Sequence, residues 1–385
     1  MKSIVMGVMM TVSAVLLADV WYWHGPIADP DRKGDWMEED MWLDAATGTL
    51  VTWQEGDTHD VIFNPSRVGG TGWFNRIGVP PEGVTPDSVL VINAAQCAFR
   101  VDSTSGSTPG RIFTSVFTAK DKAVVSFWDA TTLQTPALVI DGTTGGNITY
   151  DLGGLATLSL CETLVLTNAT VRARGGTLTS DIHVTGTSMV TQANYGGDLW
   201  WILAGAMTLY PGALFMQTED SSNYQWRTYE IAGDITLLGD ATIQGGTRDA
   251  NRTFISGAVT GAYTLTLRVI GTNPNGGMVV RNGAWQDVAG LIKTGTGILT
   301  IQTANLLGDV ADVQQKKNAL FSIQEGQVRL SAPQVAKTIQ LGSDIITVPG
   351  TYATAVLDPG NLYFTADSTG TITIPPPAGT VLMLR

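Results

Sequence analysis

Between Gln217 and Glu230 the chain reads QTEDSSNYQWRTYE, its densest gathering of groups able to do chemistry. Glu219 and Asp220 are paired carboxylates and Arg227 is a nearby cation. A glycosidase needs two carboxyl groups, one as general acid and one as base or nucleophile. A lyase uses a carboxylate-bound cation with an Arg or Lys base. Tyr224 and Trp226, with Trp200 and Trp201 upstream, offer aromatic faces on which sugar rings could stack. The cluster reads as a loop thrown out between structural units, where functional residues collect. A polar surface loop, with Trp226 covering an apolar shoulder, accounts for the same residues. That is the reading taken here, and no catalytic residue is assigned.

Other chemistries have less to build on. His24, His59 and His183 are far apart and have no metal-helix or Cys partner spacing. No P-loop and no dinucleotide fingerprint occurs. The acidic stretch from Asp29 to Asp44 gathers Asp29, Asp31, Asp35, Glu38, Glu39, Asp40 and Asp44. It lacks the EF-hand pattern, so calcium is open but unsupported, and no metal or other cofactor is expected.

The 385 residues carry a net charge of −12, only 15% are charged, and 44% are hydrophobic, which is too apolar for a disordered chain. The acidic balance argues against nucleic acid, whose binders use Lys and Arg to displace counterions, and against an anionic membrane surface. Lys2 followed by an apolar run from Ile4 to Leu17 fits a secretory signal peptide over 1–18. The run is short for a membrane helix, which needs about 20 apolar residues. No membrane span is expected in the mature chain. Export would permit a disulfide between Cys97 and Cys161, and two buried thiols fit equally well.

Residues 19–87 form a Trp-rich leader holding Trp21, Trp23, Trp36, Trp42 and Trp53. From Ser88 to the end the texture changes. Short alternating runs such as SVLVINAA, DITLLGDATIQGG and AYTLTLRVIG recur between Gly, Asn and Asp. A two-residue period marks strands with one buried face. Asp309–Ala319 reads as a loop or a short helix. Two-residue Asn-Gly or Asp-Gly hairpin turns are rare, and strand plus turn recurs every 8–12 residues or so. Three such units make a repeat of roughly 20–30 residues, and therefore roughly 11–13 coils stacked over about 55–60 Å. The expected fold is all-β, a β-solenoid. Its open first coil needs a lid, which the leader tryptophans would form unless they meet a neighbouring subunit. Pro375–Pro377 should stop strand pairing near the end.

The stretch 230–330 adds a more specific signal. It runs EIAGDITLLGDATIQGG, TFISGAVTG, AGLIKTGTGILTIQTANLLGD and FSIQEGQVRLS. In that order it resembles the autotransporter-associated β-strand repeat of large secreted bacterial proteins. The resemblance rests on Ser256-Gly257 and Gly261, on Leu291, Lys293, Gly295, Gly297, Leu299 and Ile301, and on Gly326, Val328 and Leu330. The leader, with Trp23, Gly34, Trp36, Trp42, Trp53, Gly56, Asp57 and Phe63, resembles the Trp-rich segment that follows the signal peptide in those proteins. The resemblance implies a right-handed parallel β-helix. It departs from full-length autotransporters at the end, since TITIPPPAGTVLMLR offers no membrane barrel strands. From the residues alone, Gly295 and Gly297 should allow positive φ or close backbone approach at a corner. Ile298 and Thr300 should lie opposite Leu299 and Ile301, and Lys293 is expected on the solvent face.

These readings converge on a secreted, cell-surface or extracellular structural or adhesive protein. Its partners would be other copies of itself, able to build filaments, or neighbouring surface proteins. The alternative is a glycan-binding or glycan-cleaving β-helix with a polysaccharide partner.

Overall fold

The computed structural model describes residues 20–25, 33–64, 74–92, 95–101, 110–127, 131–142, 148–152, 161–173, 176–192, 200–219, 228–245, 252–271, 277–283, 285–316 and 319–377. With 54% strand against 4% helix, the protein is all-β. Two 14-stranded sheets and one 7-stranded sheet hold nearly all the strands, and a 3-stranded sheet lies at the C-terminal end. At about 4.8 Å per strand, each long sheet runs for roughly 60 Å.

Pairing is mostly parallel, and successive strands pass to different sheets before the chain returns. Between Met207 and Ile235, for example, it visits Met207–Leu209, Leu214–Glu219 and Thr228–Ile231, one strand in each sheet. Ile235 then lies beside Met207. Within the three large sheets, from Val61 onward, a parallel return can be as short as that from Thr163 to Asp181 or as long as that from Gly290 to Leu320. These returns bracket the repeat length expected from the sequence. Each return is one tier.

Alternation sets the inside. In the 7-stranded sheet Leu178, Leu203, Ile231, Ile255, Val280, Ile301 and Leu330 stand in register, one per tier, all without solvent exposure. Each such side chain contributes roughly 1.5–3 kcal/mol of apolar burial. Outward positions are polar, as in the Thr208, Thr236 and Thr260 row and the 2.7 Å contact between the Thr167 and Thr185 hydroxyls.

Two residues past this aliphatic column, or three after Val280, the chain turns a corner, with Ser180, Gly205, Gly233, Gly257 and Gly283 above one another. A Cβ on any of the four glycines would strike the backbone carbonyl oxygen of the residue below it in the column. At three tiers the corner repeats one bonding pattern. Ala204 and Gly205 both donate N–H to the Leu178 carbonyl, Ala232 and Gly233 to Leu203, and Ser256 and Gly257 to Ile231. Asp181 and Asp234 then accept the amides of Ala206 and Ala258, each at 3.0 Å.

The strands from the Trp-rich leader are the first members of the two long sheets. Val20–Trp23 pairs in parallel with Asp60–Phe63 and antiparallel with Trp42–Asp44. Trp23, Trp36, Trp42 and Trp53 are buried against Phe63 and Phe99, and Trp21 is half-buried, stacked on His59 at 3.9 Å. Trp42 also donates its indole N–H to the Trp36 carbonyl at 2.8 Å. At the other end Thr338–Leu341 pairs antiparallel with Asp344–Ile346, and Thr371–Ile374 ends immediately before Pro375. Two short helices are described, Val310–Gln315, started by an Asp309 capping box, and Thr354–Leu357. Cys97 and Cys161 are both buried, with no disulfide between them. Burial pushes the Cys161 thiol above its usual range.

Candidate functional site on the seven-stranded sheet

The strands Trp200–Leu203, Thr228–Ile231, Arg252–Ile255 and Gly277–Val280 are consecutive in this sheet. Register aligns Ile202, Glu230, Phe254 and Val279 on its outer face, while Tyr229, Thr253 and Met278 are buried on the other. Three tiers meet at Glu230. Its Oε1 accepts the Ser256 hydroxyl at 2.6 Å and an Arg281 N–H at 3.2 Å. The Arg281 Nε–H also reaches the Ser256 hydroxyl at 3.3 Å, and its guanidinium lies 3.9 Å from the Phe254 ring centre. The Glu230 and Arg281 side chains keep 15% and 29% exposure, so the pair is open to a ligand without being freely solvated.

This arrangement presents donors, an acceptor and an aromatic ring side by side, with the Arg281 guanidinium over the ring. Glycoside cleavage would require two carboxyl groups set several ångströms apart. Among the described residues no second carboxylate joins the cluster.

Of the residues singled out in sequence, Asp220, Tyr224, Trp226 and Arg227 lie outside the described residues. Glu219 ends the strand Leu214–Glu219, and Trp200 and Trp201 open the strand that pairs with Thr228 and Tyr229. Backbone register therefore puts Trp200 and Glu230 in neighbouring strands of one sheet. Glu230 belongs to the polar cluster of the sequence and Ser256 to the repeat motif, and neither pattern includes Arg281. Ser256 and Arg281 are one tier offset of 25 residues apart, and Ser256 lies two residues past Phe254, the register partner of Glu230, a spacing that is present in the sequence.

Lys293 corrects an expectation. It is 1% exposed, on the inner face with Leu291, where strand parity puts it. Its ammonium donates to the carbonyls of Thr294 at 2.9 Å and Glu325 at 2.8 Å, and to that of Gly295. The Glu325 carboxylate in turn accepts the Gly295 N–H at 3.1 Å. Burial pushes the Lys293 pKa down to about 8, against a smaller upward pull from Glu325. The other motif residues behave as expected at a corner. Gly295 and Gly326 have φ of 76° and 70°, Gly297 approaches the Gly271 backbone, and Leu291, Leu299, Ile301, Val328 and Leu330 are core.

Asp29 and Asp31 lie outside the described residues, and several other candidates have structural partners. His183 lies 3.5 Å from the Tyr210 hydroxyl. In the acidic stretch, Glu38 accepts the Asp35 amide at 3.1 Å, and Asp44 accepts Ala46 N–H and the Thr47 hydroxyl. The Ala46 bond is the main cause holding the Asp44 carboxyl below its usual range. Among the described residues no three His, Cys, Asp or Glu side chains come together as a metal site. No described helix is long and apolar enough to cross a membrane.

No protein family, curated protein or solved structure matches the chain.

Proposed function

We propose that this chain is a right-handed parallel β-solenoid with an aromatic N-terminal cap, exported as a structural or adhesive element of a bacterial surface or extracellular matrix. The observation that carries the reading is the continuous parallel register, tier on tier, through sheets of 14, 14 and 7 strands. Such a body resists proteolysis and holds its surface groups at fixed spacing, which is what a spacer or adhesin needs. The order of motifs over 230–330 supports kinship with autotransporter-associated repeat proteins, and with it export. Electron microscopy of the purified protein tests the architecture. Strand stacking predicts rods about 60 Å long, and a compact globular particle would overturn the reading.

A second reading, glycan binding, is favoured by the Glu230, Ser256, Arg281 and Phe254 cluster. Screening against bacterial polysaccharides should find a ligand whose binding falls at least tenfold in Phe254→Ala. Retention by that variant of full binding would remove the cluster from the account.

A further inference from the structure

The two ends of the long sheets are finished differently. At the N-terminal end the last strands are Leu50–Val51 and Lys33–Asp35, two and three residues long. The Asp35 amide is already bonded to the Glu38 carboxylate at 3.1 Å. Short, charged and side-chain-capped edges are what proteins use to prevent strand addition.

At the C-terminal end of the sheet that begins with Lys33–Asp35, the outermost strand is Asp344–Ile346, followed by Thr347 and Val348, while the other long sheet ends at Trp285–Gln286. Leu341 and Asp344 face each other across the two-residue turn Gly342-Ser343, so they form the hydrogen-bonded pair at its mouth. Alternation along an antiparallel pair then turns the backbone N–H and C=O of Ile345 outward, and those of Thr347 likewise. Among the described residues, no backbone hydrogen bond from Asp344 to Thr347 reaches beyond the pairing with Thr338–Leu341. Ile345 and Val348 are each 65% exposed, and no Lys or Arg guards the edge. Pro349 limits it to Asp344–Val348.

We infer that two copies of this chain pair tail to tail, antiparallel, through the Asp344–Val348 edges, joining two 14-stranded sheets into one. The partner is identified by register. A two-fold axis through Ile346 sets Ile345 opposite Thr347 of the other copy and Thr347 opposite Ile345. The residues with outward backbone groups thus meet as hydrogen-bonded pairs. Asp344 meets Val348, so no like charges face each other despite the net charge of −12 on each copy. The blunted N-terminal edges make the contact closed, a dimer and not a filament. This rests on the tiered architecture proposed above.

Sedimentation of the full chain across a concentration range, with microscopy of the same samples, tests it. The expected species has twice the 40.8 kDa chain mass and twice the rod length. Ile345→Lys should raise the dissociation constant roughly tenfold or more, while Leu50→Lys at the opposite end leaves it unchanged. The variant carrying both Ile345→Cys and Thr347→Cys should form a covalent dimer on oxidation, because the native thiols are buried. Monomeric rods at every concentration would overturn the pairing and leave the architecture standing. A dimer indifferent to Ile345→Lys, a dimer lost in Leu50→Lys, or filaments would also overturn it.

Discussion

The N-terminal and C-terminal ends of the molecule meet the same requirement by opposite means. A stack of parallel strands leaves a bare core and a row of unpaired backbone groups at each end. The first end is closed by volume. Trp36, Trp42 and Trp53 pack within 5.6 Å of one another, centre to centre, and roof the core. The last end is closed by a change of strand direction and the small sheet of Gln334–Val335, Thr371–Ile374 and Gly350–Ala353. It leaves Ile345, Val348, Val356 and Leu362 exposed. Bulky rings seal an end against both water and other strands, whereas a hairpin seals the core and exposes a new edge.

The contrast can be broken most forcefully at the rings. Trp42→Ala removes a fully buried indole and orphans the Trp36 carbonyl. It should cost roughly 3–5 kcal/mol in chemical denaturation, whereas Ile345→Ala should cost less than about 0.5 kcal/mol. Equal losses at the two ends would erase the distinction.

Next in size comes the corner column between the ends. Gly257→Ala drives a methyl group into the Gly233 carbonyl and should cost roughly 2–4 kcal/mol. Gly212 has open space around it, and its φ of 73° makes Gly212→Ala a test of backbone strain alone, expected near 1 kcal/mol.

Lys293→Met leaves the carbonyls of Thr294, Gly295 and Glu325 without their donor and should cost roughly 2–3 kcal/mol at pH 7. The pH dependence has a definite sign. Below about pH 8 the lysine holds its proton folded and unfolded, so it adds no slope. Between about 8 and the ordinary 10.5 the unfolded chain binds the proton that the folded chain has released. Stability of the natural protein should therefore rise with pH across that window, by roughly 3 kcal/mol at most, and Lys293→Met should lack that rise. Denaturation midpoints of both proteins from pH 7 to 10 provide the check. The smallest effect belongs to the partly exposed ion pair, where Arg281→Gln should cost about 0.5–1 kcal/mol in the same assay.

Strand content, repeat length and the inward row of aliphatics were legible because alternation and turn residues are local properties. Val259, Leu265, Leu299 and Val328 follow that pattern into the core. Lys293 was not legible as a core residue because its charge points outward while its parity points inward. Position in the strand decided the matter, and three carbonyls replaced water. The glycine column was missed for a different reason. Gly205, Gly233, Gly257 and Gly283 are unremarkable one at a time, and only stacking gives them a common task. The Glu230, Ser256 and Arg281 cluster escaped for the same cause, since its members come from three tiers.

The glycine column also makes the molecule's length editable. Removing Gly205 through Ala232 would set Gly233 directly above Ser180, where Gly205 stood, and bring Ile235 over Ile182 in place of Met207. The cut excises a whole tier together with residues 220–227, and the Ala204–Gly233 junction it leaves repeats the Ala-Gly step already present at both tiers. Such a protein could gain or lose units by recombination without redesign of its joints, and its reach and its surface chemistry could evolve as separate traits.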